Sequence, residues 1–375
     1  MYNTQQKVLI VLSTLGVSTA LKWQKFFQRI GGIDVLWKDK ERLADLITSV
    51  FDKTVYDKLS FSLSDFFFDD IMRKFENKGI QVVTFIDSDY SYMLKEIRDP
   101  PLVLFCKGNI DLLNMPSIAI VGSRKCTYYG KRVAETFVAG LSNQFCIVSG
   151  LANGIDTVAH KKALELNAKT IAVLGGGFDH VYPSNNISLA ERIAQSGLLV
   201  SEYNPNVEPN SYRFPVRNRI ITGLSKGVIV AEAGKKSGVF STVESASQQN
   251  RDVFVVPGDI FSYASVGSNE LLKNYRNTLV TSPQDVIDAY GITFVAKQKT
   301  AKKLSYQPDI QEEKVLKTLD NGDKLHFDVI VQKSGLSASE VNYLLTNLEL
   351  FDIVSKLNGN FYQLKTEASD EISYS

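Results

Sequence analysis

The chain has 375 residues, long enough for two or three domains with a sizeable core. Its 42 lysines and arginines against 41 acidic residues leave it near neutral, which excludes a nonspecific polycation. No apolar run is long enough to span a bilayer and the start does not resemble a signal peptide, so a cytoplasmic protein with no membrane partner is expected. Three cysteines (Cys106, Cys126, Cys146) form no CxxC pair, and His160, His180 and His326 are too scattered for metal-ligand spacing; no disulfide frame and no metal are expected.

Residues 1–75 read as helical, with Leu21, Phe26, Phe27 and Ile30 at helical spacing. The breaks at Leu15-Gly16-Val17 and Gly31-Gly32 suggest a small domain of the SAM or helix-hairpin-helix kind. Between 76 and 295 the pattern changes to short β-branched runs alternating with helical stretches. The expected strands are 80–85, 118–121, 145–149, 170–174, 198–201, 227–231 and 253–256, and 133–141 is an expected helix with Val133, Phe137 and Leu141 on one stripe. Near-continuous apolar strands suit burial on both faces, and strand–helix alternation predicts an α/β fold: a doubly wound, mostly parallel sheet. A lysine-rich linker is expected over 296–308. Residues 309–365 then read as three helices and a hairpin, with Val341, Leu344, Leu345 and Leu348 on one helical face and Asn358-Gly359 at the hairpin turn, the pattern of a winged helix. Residues 366–375 read as a disordered tail.

Two basic segments contain no acid. Residues 122–132 hold Arg124, Lys125, Lys131 and Arg132; residues 212–226 hold Arg213, Arg217, Arg219 and Lys226. Both lie where a strand end or loop leads into a helix. In an open α/β sheet ligands bind at the carboxyl edge, and helix N-termini there favour anions. Gly122-Ser123, the run from Ser149 to Asp156, Gly175-Gly176-Gly177, Ser201-Glu202-Tyr203 and Ser237-Gly238 add small residues at five strand ends. Glycines at such turns also serve plain packing, but five loops together with arginines favour an anion site in which phosphate approaches backbone amides. Neither a Walker A motif nor a GxGxxG fingerprint is present, which disfavours an ATPase or a dehydrogenase.

Taken in order, Ile120-Val121-Gly122-Ser123-Arg124, the stretch from Ser149 to Asp156 with Ala159-His160, Ala172-Val173-Leu174-Gly175, Val181-Tyr182-Pro183, Ser201-Glu202-Tyr203, the run from Phe214 to Ile221, Ser237-Gly238, the run from Val253 to Gly258 and Gly267-Ser268-Asn269 resemble the DprA (Smf) family of bacterial DNA-processing proteins. The resemblance covers about 180 residues. It implies an extended Rossmann-like domain that binds single-stranded DNA, as a homodimer, and delivers incoming strands to the RecA recombinase during natural transformation. No cofactor and no bond-breaking chemistry are implied. Carried over residue by residue, Arg124 would hold a phosphate, Arg217 and Arg219 around Asn218 would line the same groove, and Ser237-Gly238 would supply close backbone contacts. Asn153 and Val216 stand where basic residues are common in the family, and Lys125 or Arg213 is expected to compensate.

Single-strand binding needs aromatic faces as well as cations. Tyr128, Tyr129, Tyr212, Phe214 and Phe240 lie near the basic segments, and Phe240, following Ser237-Gly238, is the preferred stacker. The rival reading is an enzyme, a nucleoside monophosphate phosphoribohydrolase on a related fold. The stretch from Lys236 to Glu244 keeps Thr242 and Glu244 of that group's Pro-Gly-Gly-x-Gly-Thr-x-x-Glu loop but lacks its glycine pair. In the winged helix, the stretch 337–349 carries Glu340 and Glu349 and no lysine or arginine, so it is expected to bind duplex DNA poorly.

Overall fold

The structure is a computed structural model that describes residues 2–16, 20–274, 276–292, 308–319, 324–351, 353–357 and 359–364. The expected disordered tail, Val17 and all of the expected linker except residue 308 lie outside the described residues. Among the described residues one sheet holds β1 (Gln81–Thr84), β2 (Val103–Gly108), β3 (Ser117–Gly122), β4 (Cys146–Ser149), β5 (Thr170–Val173), β6 (Leu198–Ser201), β7 (Gly227–Glu232), β8 (Asp252–Val255) and β9 (Thr278–Leu279). Their order is β1-β2-β6-β5-β4-β3-β7-β8-β9. From β6 across to β9 every neighbouring pair is parallel, while β1 and β2 join antiparallel at one edge. The sheet is Rossmann-like, with β2 and β9 added to the strands expected from the sequence.

Pleating sends successive side chains of β3 to opposite layers. Ile118 and Ile120 pack with Phe137, Leu141 and Ala159, from the helices Tyr128–Leu141 and Ile155–Glu165. Ala119 and Val121 pack on the other face with Ile220, Ile221 and Val243, from the helices Arg213–Gly223 and Val239–Gln248. Burial on both faces is why these strands read as unbroken apolar runs.

The first helix, Thr4–Leu15, starts at a capping box between Asn3 and Gln6 and stops at Gly16, whose φ of 61° is left-handed. Its Leu9 shares a core with Trp23, Phe26 and Phe75 from later helices and with Val82, Val103 and Phe105 of β1 and β2. The expected boundary at residue 75 is therefore not a packing boundary: the antiparallel edge needs an apolar cover, and the N-terminal helices supply it. The described residues through 292 fall in a single compact unit.

The second unit has its own core. Helices Ile310–Leu319, Phe327–Ser334 and Ala338–Leu350 enclose Leu316, Ile330, Val341 and Leu345, against a sheet of β10 (Leu325–His326), β11 (Val354–Leu357) and β12 (Phe361–Leu364) in the order β10-β12-β11. The third helix is started by a reciprocal capping box of Ser337 and Glu340, and positive φ at Gly359 and Asn360 turns the wing. This is a winged helix.

Candidate functional site

β4, β5 and β6 follow β3 to one side of the sheet, whereas β8 and β9 follow β7 to the other. The β3–β7 junction is thus a topological switch point, where an open sheet leaves a crevice beyond its carboxyl ends. A cleft of about 840 Å³ occupies it. It is walled by residues 122–125 after β3, residues 234–238 after β7, the start of the helix Arg213–Gly223, and residues 262–264 after β8. Five lining residues are cationic (Arg124, Lys125, Arg217, Lys235, Lys236) against one acid, Asp156.

Arg124, Lys125, Lys235 and Lys236 are exposed. The Arg124 guanidinium lies 5.4 Å from the centre of the Phe214 ring, a cation–π contact that aims it across the cleft. The helix Val239–Gln248 starts in the same wall, with Ser237 and Gly238 at its head. The Val239 amide donates to Ser237 Oγ at 3.3 Å and the Phe240 amide to the Ser237 carbonyl at 3.4 Å, and the helix N-terminus adds positive potential to the wall.

Arg217 lines the cleft from beneath. Its side chain is buried, and it donates to the carbonyls of Gly150 (2.7 Å) and Val173 and, through Nε, to Asn218 Oδ1 (3.3 Å). Burial draws its pKa down to about 10, while Asp156 opposes the shift. Asp156 is itself pushed above its ordinary range by burial, against the pull of Arg217 and of the Gly150 and Ala152 amides it accepts from. Arg217 thus ties the β4 and β5 loops together and lends the floor its positive field, rather than offering a free fork. Asn218 sits beside it and donates to Ser241 Oγ at 2.9 Å.

Three sequence-based expectations are corrected. Arg219 does not line the cleft: it pairs with Glu202 at 2.6 Å and with Asp99 at 3.5 Å. The reason is helical geometry, since two residues on a helix lie about 200° apart, so Arg217 and Arg219 cannot face the same way. Burial lowers the Arg219 pKa, but Glu202 and Asp99 overcome it and hold the guanidinium above its usual value. Arg213 lies 5.1 Å over Tyr203 and 5.4 Å over Tyr212 and donates to the Glu208 carbonyl, away from the cleft lining. Phe240 packs against the sheet core and is not a cleft residue.

The glycines also divide differently from expectation. A Cβ on Gly122 would lie 2.4 Å from Ile155 Cγ1, on Gly150 2.6 Å from Arg217 Nη2, and on Gly175 2.7 Å from Phe214. These positions serve close packing beneath the cleft. At Gly238 nothing lies within 4 Å, and at Gly234 only the Tyr263 carbonyl does, at 3.6 Å. Open backbone is therefore concentrated after β7. Lys235, Lys236, Ser262 and Tyr263 also line the cleft and were not singled out as DNA-binding residues from sequence, although residues 233–243 carry the same acid-free basic pattern as the two segments that were.

The fold and the cleft define a class: a Rossmann-like domain with a cationic switch-point crevice, on a chain that also carries a winged helix. The family model described as DNA recombination-mediator protein A matches residues 81–291, and the DprA winged helix domain matches residues 299–360. The chain belongs to the DprA (Smf) family of DNA-processing proteins. It is 48% identical to DNA processing protein DprA of Streptococcus pneumoniae over 202 residues, covering 54% of this chain and 71% of that one. With protein Smf of Escherichia coli it shares 37% identity over 282 residues, 74% of this chain and 75% of the relative. Among solved structures, DNA processing protein A from S. pneumoniae aligns with a TM-score of 0.66 and 38% identity over 77% of this chain and 98% of its own. The Helicobacter pylori protein, described for its single-stranded DNA binding mode, aligns with a TM-score of 0.51 and 34% identity over 56% of this chain and 95% of its own.

Proposed function

We propose that the switch-point cleft grips single-stranded DNA by its phosphates, and that the protein protects incoming single strands and loads RecA on them during DNA uptake, as a cytoplasmic homodimer. The observation that carries the reading is the set of exposed cations, Arg124, Lys125, Lys235 and Lys236, around the uncrowded Gly234 and Gly238 at a helix N-terminus. Exposed cations beside a helix N-terminus attract a polyanion without reading its sequence. The single-stranded DNA binding of the H. pylori relative supports the same assignment. The enzymatic alternative needs Glu244 at the cleft; Glu244 is instead exposed, accepts from Gln248 at 3.3 Å and is absent from the lining, although Thr242 is present.

Binding of a labelled oligothymidylate over a salt series tests the reading. Arg124→Ala is expected to weaken affinity several-fold and to lower the magnitude of the salt slope by about 0.7, the single-strand value for one lost phosphate contact. Unchanged affinity and slope would remove Arg124 from the phosphate path. For the loading step, the wild-type chain should speed RecA filament assembly on a single strand and Arg124→Ala should do so less.

A further inference from the structure

The loop after β8 has an unusual surface. Ile260 is 78% exposed, Phe261 91% and Tyr263 70%, so three large apolar side chains stand in solvent within four residues. Single exposed apolar residues are ordinary, but a cluster on one loop marks a binding surface. The loop is also held firmly. Ser268 and Ala233 exchange two hydrogen bonds, from Ala233 N to Ser268 Oγ at 2.8 Å and from Ser268 N to Ala233 O at 3.0 Å. Asn269 likewise clamps Gly258, donating to its carbonyl at 3.0 Å and accepting from its amide at 3.1 Å. Asp259 caps the turn by accepting from the Phe261 amide at 2.8 Å. Gly267 allows the approach, because a Cβ there would fall 2.4 Å from the Gly234 carbonyl. The Gly267-Ser268-Asn269 motif thus fastens this loop to the lysine-bearing loop after β7.

Ser262 and Tyr263 line the cleft, so the exposed rings continue directly from its cationic wall. We infer that Phe261 and Tyr263 form a stacking platform for the bases of a strand whose phosphates run past Arg124, Lys235 and Lys236, with Ile260 as an apolar wedge beside them. The inference rests on the proposed single-strand reading. Cations and aromatic faces side by side suit a chain that alternates phosphate and base; a protein partner would need no adjoining phosphate track.

The test uses the full-length chain with two probes of equal length and charge, an oligothymidylate and an abasic oligonucleotide. Phe261→Ala and Tyr263→Ala should each weaken oligothymidylate binding roughly tenfold, with an unchanged salt slope and little effect on the abasic probe. Phe261→Tyr and Tyr263→Phe keep a ring and should bind like the wild type. Wild-type oligothymidylate affinity in both alanine variants overturns the platform, as does an equal loss on both probes. Loss of self-association by sedimentation with oligothymidylate affinity unchanged would reassign the loop to a protein interface and overturn it too. These failures are separable from failure of the cleft itself, which would appear as a wild-type protein that binds neither probe.

Discussion

Arg124 and Arg219 show how little residue type alone decides. Each is an arginine in a basic segment, yet one faces open solvent over an aromatic ring and the other is held between two carboxylates. Arg219→Ala would leave Glu202 with its side chain only 14% exposed and without its cation. Burial already raises the Glu202 pKa even with Arg219 present. Breaking such a pair costs roughly 3–5 kcal/mol, so urea unfolding of Arg219→Ala should show a large loss of stability while oligothymidylate affinity and salt slope stay at wild-type values. A lowered salt slope in this variant would place Arg219 on the phosphate path after all.

His160, part of the motif by which the sequence resembles its family, is wholly buried beside Thr170, with 2.8 Å between Nδ1 and the hydroxyl. Burial, aided by Arg217, lowers its pKa to about 3. The unfolded imidazole takes up a proton below about 6.5 while the folded one does not, so the unfolded state binds more protons and stability falls as pH drops toward 3. Asp156 and Glu202, raised by burial, act in the opposite sense at acidic pH. Comparing His160→Gln with the wild type cancels them. The stability lost between pH 7 and pH 5, measured by urea unfolding, should be smaller in the variant by about 2 kcal/mol. Equal losses would show that His160 takes up its proton in the folded state.

At the scale of elements, the loops at the carboxyl edge do two different jobs. Gly122→Ala would push a methyl group into Ile155 and the Glu232 carbonyl, and overpacking of this kind costs about 1–3 kcal/mol. Gly238→Ala meets open space at a helical φ of −63°, so its unfolding midpoint should stay near wild type. Equal destabilisation of the two would mean that the loop after β7 is as tightly packed as the one after β3. The parallel strands were legible because burial on both faces writes an unbroken apolar run. β9 was not, being two residues long, and neither was β2, which lies on the antiparallel edge just after Pro100-Pro101. For the site, Arg124 and Lys125 could be read because a loop after a strand end at the sheet's carboxyl edge faces the crevice. Arg213, Arg217 and Arg219 could not be sorted, because which turn of a helix looks inward depends on partners such as Glu202 and Gly150 that are distant in sequence. Phe240 was misread for the same reason: one residue of helical rotation separates a cleft residue from a core residue.

At the scale of the molecule, two units with different charge logic share one chain. The first gathers exposed cations at a switch point. The second places Glu340 and Glu349 on the helix Ala338–Leu350, where a duplex-reading winged helix would carry arginine or lysine facing the major groove. Glu340 is already committed to its cap: its carboxylate accepts from the Ser337 amide at 2.9 Å and the Ser337 hydroxyl at 2.6 Å, which holds its pKa below the usual carboxylate range. It therefore stays ionised at neutral pH at the N-terminal end of that helix, the end a recognition helix presents to base edges. A duplex phosphate approaching there meets fixed negative charge, which opposes the phosphate contacts that drive such binding. The second unit has its own apolar core around Leu316, Ile330 and Leu345, so residues 309–365 should fold when expressed alone. In a gel-shift titration at moderate salt, this domain is expected to leave a duplex oligonucleotide unshifted at concentrations where the full-length chain retains a single strand. Tight duplex binding by the isolated domain would show that cations of the wing, such as Lys324 and Lys356 beside Phe361 and Tyr362, outweigh the acidic helix.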